Sequence, residues 1–438
     1  MITSEIPTDV SHRPRVLTVL PDFPFPATTG LHLRHRNSLE RLYRLGCYNA
    51  LLYFTTEERE PPAHDTTPLA SICHEMHHAG RRFPHREFST VALASYKLEF
   101  LLRGALGLPG KRYPFSLSYD RIGAEEIVLD AAQKVQADFV VLSSIFMHYS
   151  ARLRQHGFQV IIDAADVLTT LSASFLATLS GRGGKLGLFA NHVACRSQER
   201  IFLKQCAELW ATSESEAEQF RRIAPGLRVL VVPNSLDEND GRPSPQSTRP
   251  IVGFIGTYSY APNLRAAQFL AEQVFPRVRR ERPDAVLRLA GAGMPQPDGI
   301  RLQDLPGVEL PGRVEDSGRF MDECAVLALA VFERGGVPLK LVEGLARGKA
   351  LVVTPELVAG LELADGRELL VRSGAEEFAV AILELLRDEP LRANLGAHAR
   401  AAFERHFSIS SGEEKLRRDS VLMKQRSSAS RPPAVVCP

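Results

Sequence analysis

The stretch VFERGGVPLKLVEGLARGKALVVT runs from Val331 to Thr354. It opens as the end of an apolar strand. Gly335 and Gly336 then give a tight turn. Pro338 reads as the first residue of a helix, where its missing N–H costs nothing. The helix pattern continues to about residue 347, and ALVVT (350–354) is the next strand. A helix N-terminus at this point exposes unbonded N–H groups and the positive end of the helix dipole, which suit a phosphate. Lys340 and Glu343 stand three residues apart and share a helix face. The lysine can neutralise a diphosphate, and the glutamate can accept hydrogen bonds from ribose hydroxyls. By residue pattern alone, an ordinary strand–turn–helix unit with a surface Lys–Glu pair is the alternative.

Working outward, this unit is one of a series. IVGFIGT (251–257), AVLRLAG (285–291), GVELPG (307–312) and AVLALAV (325–331) are strand-like, with helical stretches between them. An earlier series holds RVLTVLPDF (15–23), NALLYFT (49–55), ADFVVLSSI (137–145), FQVIIDAAD (158–166), AELWATS (207–213) and LRVLVVPNS (227–235). A long helix is expected at about 188–207, and GRGGKLG (181–187) reads as a flexible loop. Short apolar strands alternating with helices imply parallel sheets covered on both faces. The fold class is therefore α/β, with two doubly wound Rossmann-like domains. The expected boundaries are 14–235 for the first domain, 236–250 for a polar linker and 251–408 for the second. A helix at about 409–425 should pack back on the first domain, and 426–438 reads as a disordered Ser/Pro-rich tail. Ligands of such sheets bind beyond the carboxyl ends of the strands. Two facing domains would hold a substrate in the cleft between them.

The 438 residues carry a net charge of +2, with 44% hydrophobic and 24% charged residues. That balance is ordinary for a soluble globular protein and gives no reason to expect a nucleic-acid partner. The six cysteines include no C-x-x-C pair, which suits free thiols in a reducing cytosol. No run is apolar and long enough to span a membrane, and the N-terminus lacks a secretory apolar core. A cytoplasmic location is expected, with peripheral membrane contact as an addition. YKLEFLLRGALGLPGKRYPF (96–115) mixes apolar residues with Arg103, Lys111 and Arg112 and could touch a membrane surface or a bulky acceptor. An ordinary amphipathic helix and loop is the simpler reading.

GGVPLKLVEGLARGKALVVT resembles the donor-binding signature of family 4 glycosyltransferases, which have the GT-B fold. Other segments resemble the same family in order: VGFIGTYSYAPNLRAAQFLAEQVFPRVRRERPDAVLRLAGAG, PGVELPGRVEDSGRFMDECAVLALA, LELADGRELLV and, near the N-terminus, PFPATTGLHLRHRNSLERLYRLG. The resemblance covers about 15–410, densely in the C-terminal half and thinly between 55 and 130. It implies transfer of a sugar from a nucleotide-diphosphate donor, a UDP-sugar first among them, with retention of anomeric configuration. No cofactor or metal is implied; the nucleotide sugar is a co-substrate. The acceptor would be a small molecule, a glycan or a lipid-linked sugar.

Residue by residue, the resemblance gives Glu343 the role of holding the donor ribose and Lys340 a place near the diphosphate. Gly256 and Thr257 fall where backbone amides approach the phosphates. Arg313 falls near the base and diphosphate, and the backbone from Gly336 through Val337, Pro338 and Leu339 completes the cradle. The chain departs from the family's E-x7-E motif: Gly335 stands where the first glutamate should be, as in a GG-x-P-L-K-x-x-E subgroup. On the acceptor side the resemblance points to Gly30, His32 and Arg34 of the first loop and helix, and to Asp163 and Asp166 after FQVIID. Solvated first-turn side chains for His32 and Arg34, and helix capping for the two aspartates, are the alternatives. Asp166, Lys340 and Glu343 are the catalytic candidates. His148 and Glu199 read as structural. An epimerase or hydrolase of the same fold, or a degenerate sugar-nucleotide-binding protein, are the competing functions.

One stretch argues for another chemistry. CHEMHH (73–78) contains His74-Glu75-x-x-His78, the spacing of a zinc protease helix. Gly80 and Pro84 follow too closely for a long helix. The stretch is expected instead to be a short edge strand or connection, with His74, His77 and His78 pointing apart.

Overall fold

The computed structural model describes residues 13–25, 27, 29–55, 67–82, 94–96, 98–99, 102–103, 106, 108, 116–170, 172–173, 182–239, 241–243, 246–332 and 336–424. Gly335, Lys111, Arg112 and the stretch 426–438 lie outside them. The chain divides into two compact units. The first comprises 1–212, 216–232 and 413–438; the second comprises 213–215 and 233–412.

The first unit is built on seven parallel strands: β1 (Arg15–Leu20), β2 (Tyr48–Thr55), β3 (Glu75–Arg81), β4 (Phe139–Ser143), β5 (Gln159–Asp163), β6 (Glu208–Ala211) and β7 (Val229–Val231). Their order is β3-β2-β1-β4-β5-β6-β7, so the topology reverses between β1 and β4. RVLTVL is apolar at nearly every position because both faces are covered. Leu17 and Val19 pack into the core on one side with Val140 and Leu142, while Val16 packs on the other with Phe139 and Trp210. The helix Gly30–Arg44 starts directly after the β1 loop, N-capped by Thr29, whose hydroxyl accepts from the His32 N–H. The helical stretch around Leu416 to Leu422 joins this unit. Leu416 and Leu422 enter the core around Trp210, and the buried Glu208 carboxylate accepts from the Ser420 hydroxyl at 2.6 Å.

CHEMHH runs into the sheet's edge strand β3, which begins at Glu75, rather than forming a helix. The histidines take three separate partners. The Asn49 N–H donates to His74 Nδ1, His77 bonds Glu75, and His78 bonds the Thr55 hydroxyl. Among the described residues no group of His, Cys, Asp or Glu is placed to hold a metal. The expected loop at GRGGKLG is corrected: the long helix already begins at Arg182 and runs to Phe202. No helix among the described residues is long and apolar enough to cross a membrane.

The second unit has six parallel strands: β8 (Ile251–Ile255), β9 (Val286–Ala290), β10 (Val308–Gly312), β11 (Val326–Leu329), β12 (Ala350–Val353) and β13 (Leu370–Val371). Their order is β10-β9-β8-β11-β12-β13, which reverses between β8 and β11. The stretch after β8 is not one uninterrupted α-helix. It runs Ala261–Gln268, then a π-helical turn at Phe269–Val274, then Phe275–Glu281. The loops at the strand ends lie close together. Gly291 has φ +139°, and a Cβ there would stand 1.8 Å from the Gly256 carbonyl oxygen, so only glycine fits.

Candidate functional site

The point where strand order reverses in a doubly wound sheet leaves a crevice at the carboxyl ends of the strands. In the second unit that point lies between β8 and β11, and the chain leaving each strand supplies the polar groups. After β8 come Gly256 and Thr257. Following β11 in the chain is the helix Leu339–Ala346. Pro338 is the N-cap of this helix rather than its first residue; its carbonyl accepts from the Leu341 N–H at 3.0 Å. Val337 is buried, and its carbonyl accepts from Asn234 Nδ2 at 2.7 Å, which pins the turn. Gly336 is half-buried beside it.

Lys340 reaches from the second helical position across to the β8 loop. Its ammonium donates to Asn263 Oδ1 at 2.7 Å and lies 4.2 Å from the centre of the Phe254 ring. Asn263 in turn donates from Nδ2 to the Thr257 carbonyl at 2.9 Å. A Cβ on Gly256 would come within 2.8 Å of the Asn263 amide and 3.0 Å of Lys340 Nζ. Gly256, Thr257, Asn263 and Lys340 are thus one packed group. Burial pulls the Lys340 amine down to about 7, opposed by the nearby Glu343. An amine so poised is partly neutral at neutral pH, and an arriving polyanion would favour its charged form.

Glu343, one turn further on, is half-buried. Burial raises its carboxyl above the ordinary range; a hydrogen bond from Ser317 and the charge of Arg347 lower it, Asp316 raises it, and Lys340 lowers it. Ser317 begins the helix Ser317–Glu323, which Asp316 caps by accepting from the Arg319 N–H. The loop after β10 therefore reaches Glu343. Arg313 lies exposed in that same loop.

In the first unit the sequence candidates form a buried network. Arg34 and Asp163 are 2% and 3% exposed and bind each other, with Nε to Oδ1 at 2.8 Å. Arg34 also donates to the carbonyls of Val232 and Trp210, and Ser38 donates to the second Asp163 oxygen at 2.7 Å. Neither residue is a solvated first-turn side chain or a helix cap. His32 is nearly buried, 3.4 Å from Asp22. His35 is fully buried, and neither ring nitrogen has a hydrogen-bond partner among the described residues. Burial lowers it to about 4, so it is neutral.

Asp166 lies beyond the strand end and is exposed, though packing around it pushes its carboxyl up to about 6, opposed by Arg34. The segment after Asp166 is capped by Glu199 from the long helix. Its buried carboxylate accepts from the Leu168 N–H at 2.8 Å, the Thr169 N–H at 3.1 Å and the Thr169 hydroxyl. Gly30 is the first residue of its helix.

Ser116, His148 and Asp120 have the composition of a hydrolytic triad but not its geometry. His148 Nε2 bonds Asp120 at 2.9 Å, and Ser116 donates to the other oxygen of the same carboxylate at 2.8 Å. The nitrogen that would take the serine proton is already committed to the aspartate. Ser116 is also wholly buried. The cluster is structural.

Comparison with known proteins adds to this geometry. Residues 249–388 match the family model described as Glycosyl transferases group 1. No curated protein matches the chain. The solved sucrose-phosphate synthase from Thermosynechococcus elongatus superposes with a TM-score of 0.67 at 14% identity, covering 95% of this chain and 100% of that one. HepE of Anabaena, in complex with UDP and glucose, gives a TM-score of 0.60 at 14% identity, over 92% of this chain and 98% of that one. TarM of S. aureus, in complex with fondaparinux, α-GlcNAc-glycerol and UDP, gives 0.62 at 10% identity, over 92% and 99%. The chain has the GT-B fold of these structures, and its residues 249–388 match the group 1 glycosyl transferases.

Proposed function

We propose that the protein is a glycosyltransferase that moves a sugar from a nucleotide-diphosphate donor, a UDP-sugar, to a hydroxyl-bearing acceptor with retention of anomeric configuration. The observation that carries this reading is the packed group of Gly256, Thr257, Asn263 and Lys340 at the β8/β11 switch point, inside the segment that matches group 1 glycosyl transferases. That is the crevice where a parallel sheet takes its ligand. HepE and TarM were both solved with UDP, which favours uridine as the nucleoside.

In this reading Lys340, Arg313 and the N–H groups opening the helix Leu339–Ala346 bind the donor diphosphate. Glu343 accepts from the ribose hydroxyls. Negative charge grows on the diphosphate as the glycosidic bond breaks, and these groups stabilise it. Lys340 carries less charge before the donor arrives than it does beside the diphosphate, so its attraction grows where charge develops. Retention follows from the family resemblance. A phosphate oxygen of the leaving group would take the acceptor proton on the same face.

The first unit would supply the acceptor side. Gly30, His32 and Asp166 are assigned to the acceptor, with the Arg34–Asp163 pair holding the elements that carry them.

The test is turnover. Incubation with UDP-sugars and a panel of hydroxyl acceptors should release UDP in an acceptor-dependent way, and the new linkage should have the donor's anomeric configuration by NMR. Acceptor-dependent UDP release should fall at least about tenfold in Lys340→Ala. UDP release that ignores acceptors would favour a hydrolase, and an unchanged rate in Lys340→Ala would remove the assigned site.

A further inference from the structure

Asn263 has been given no role of its own above, yet it joins the two halves of the candidate donor site. It sits in the first turn of the helix Ala261–Gln268, next to Pro262. Its amide is read without ambiguity. Nδ2 must donate, because the Thr257 carbonyl 2.9 Å away can only accept. Oδ1 therefore faces the Lys340 ammonium, 2.7 Å away, and accepts from it. The third boundary of the amine is the Phe254 ring. Without the amide, a long lysine side chain would sample many rotamers.

We propose that Asn263 is a positioning residue that fixes the Lys340 amine against the Gly256–Thr257 loop and biases it towards the charged form that a donor diphosphate needs. The inference rests on the reading of Lys340 as a diphosphate ligand. Two features support it. A hydrogen bond accepted from an ammonium favours the protonated amine, and here it opposes the burial that lowers Lys340. Among the described residues, Glu343 is the one ionisable group acting on that titration, and Glu343 itself faces Asp316 and Arg347. The neighbouring β8 strand places the Phe254 ring against the amine, and the Ala261–Gln268 helix places the Asn263 amide there. Residue 263 is therefore the uncharged lever on the amine. The rows of the sheet do not depend on it, since among the described residues its side chain bonds the loop carbonyl and the lysine.

The experiment is calorimetric titration of UDP into the full-length wild type, Asn263→Ala, Asn263→Asp and Lys340→Ala, from about pH 7 to about pH 9. The second ionisation of the UDP terminal phosphate is complete over most of that range, so a fall in affinity reports the amine. Asn263→Ala should weaken UDP about tenfold near neutrality and move the midpoint of the fall to lower pH. Asn263→Asp should move the midpoint to higher pH, because a carboxylate favours the ammonium. A residue that only supported the fold could not shift the midpoint in opposite directions. Midpoints equal to wild type in both variants, with Lys340→Ala weakened, would overturn the role of Asn263 alone. Unchanged affinity in Lys340→Ala would overturn the donor-site reading itself.

Discussion

Replacing Gly256 with alanine tests the packed donor group with one methyl. The new Cβ would stand 2.8 Å from Cγ and Nδ2 of Asn263 and 3.0 Å from Lys340 Nζ. Non-bonded carbons rest at about 3.5–4.0 Å, so Asn263 must retreat by roughly 0.7 Å or more. It cannot do so without loosening its bond to Thr257 or its bond from Lys340. Overpacking of this kind costs about 1–3 kcal/mol. Loss of about 1.4 kcal/mol from binding is tenfold in affinity. UDP should therefore bind at least about tenfold more weakly, measured by titration calorimetry. The control is Gly253→Ala, on the same strand. Its Cβ would meet Cys324 Sγ at 2.4 Å and Leu327 at 3.2 Å, in the core and away from Lys340. That variant should lose melting temperature, by about 2–4 °C per kcal/mol for a unit of this size, and keep UDP affinity in its folded fraction. Wild-type UDP affinity in a folded Gly256→Ala protein would show that this group does not bind the nucleotide.

Other consequences follow from the same geometry. Arg34→Met leaves the Asp163 carboxylate buried without its cation and should cost about 3–5 kcal/mol in denaturant unfolding; adding Asp163→Asn should recover part of it. Glu199 and Glu216 are both pushed up to about 7 by burial. Between their ordinary value and about 7 the folded chain holds protons that the unfolded chain has released. Their contribution to stability is therefore full at acidic pH and declines as pH rises to about 7, and Glu199→Gln with Glu216→Gln should flatten that part of the melting-temperature profile. Lys340 has the opposite sign: its amine is lowered, so Lys340→Met should remove a gain in stability that wild type shows as pH rises above about 7. Glu343→Ala should weaken UDP about tenfold if it holds the ribose, while affinity for inorganic pyrophosphate should hardly change.

Much of the fold could be read from the chain because the strands are buried on both faces. RVLTVL, FVVLS, IVGFI and ALVV are apolar at nearly every position, and their alternation with helices points to parallel sheets. Elements with weaker local signals were harder. β3, EMHHAGR, is a half-exposed edge strand without an apolar run, so only its position suggested pairing. The helix Arg182–Phe202 begins in a run of glycines that reads as a loop. The π-helical turn at Phe269–Val274 leaves no mark in the helical period. In the candidate site, Lys340 and Glu343 share a local pattern, whereas Asn263 meets Lys340 across 77 residues. An asparagine after a proline reads as a helix start, and nothing nearby announces its partner. Arg34 and Asp163 are 129 residues apart, and only the assembled sheet shows that they bind each other. Asn234, which pins the turn before Lys340, was silent for the same reason.

On the proposed function, the group around Lys340 binds a nucleotide diphosphate. Calorimetric titration of UDP into the wild-type protein and into Lys340→Ala, near neutral pH, asks this directly. The account expects saturable one-site binding to wild type and at least about tenfold weaker binding to the variant. Equal affinities in two equally folded proteins, or no UDP binding to wild type, would contradict it.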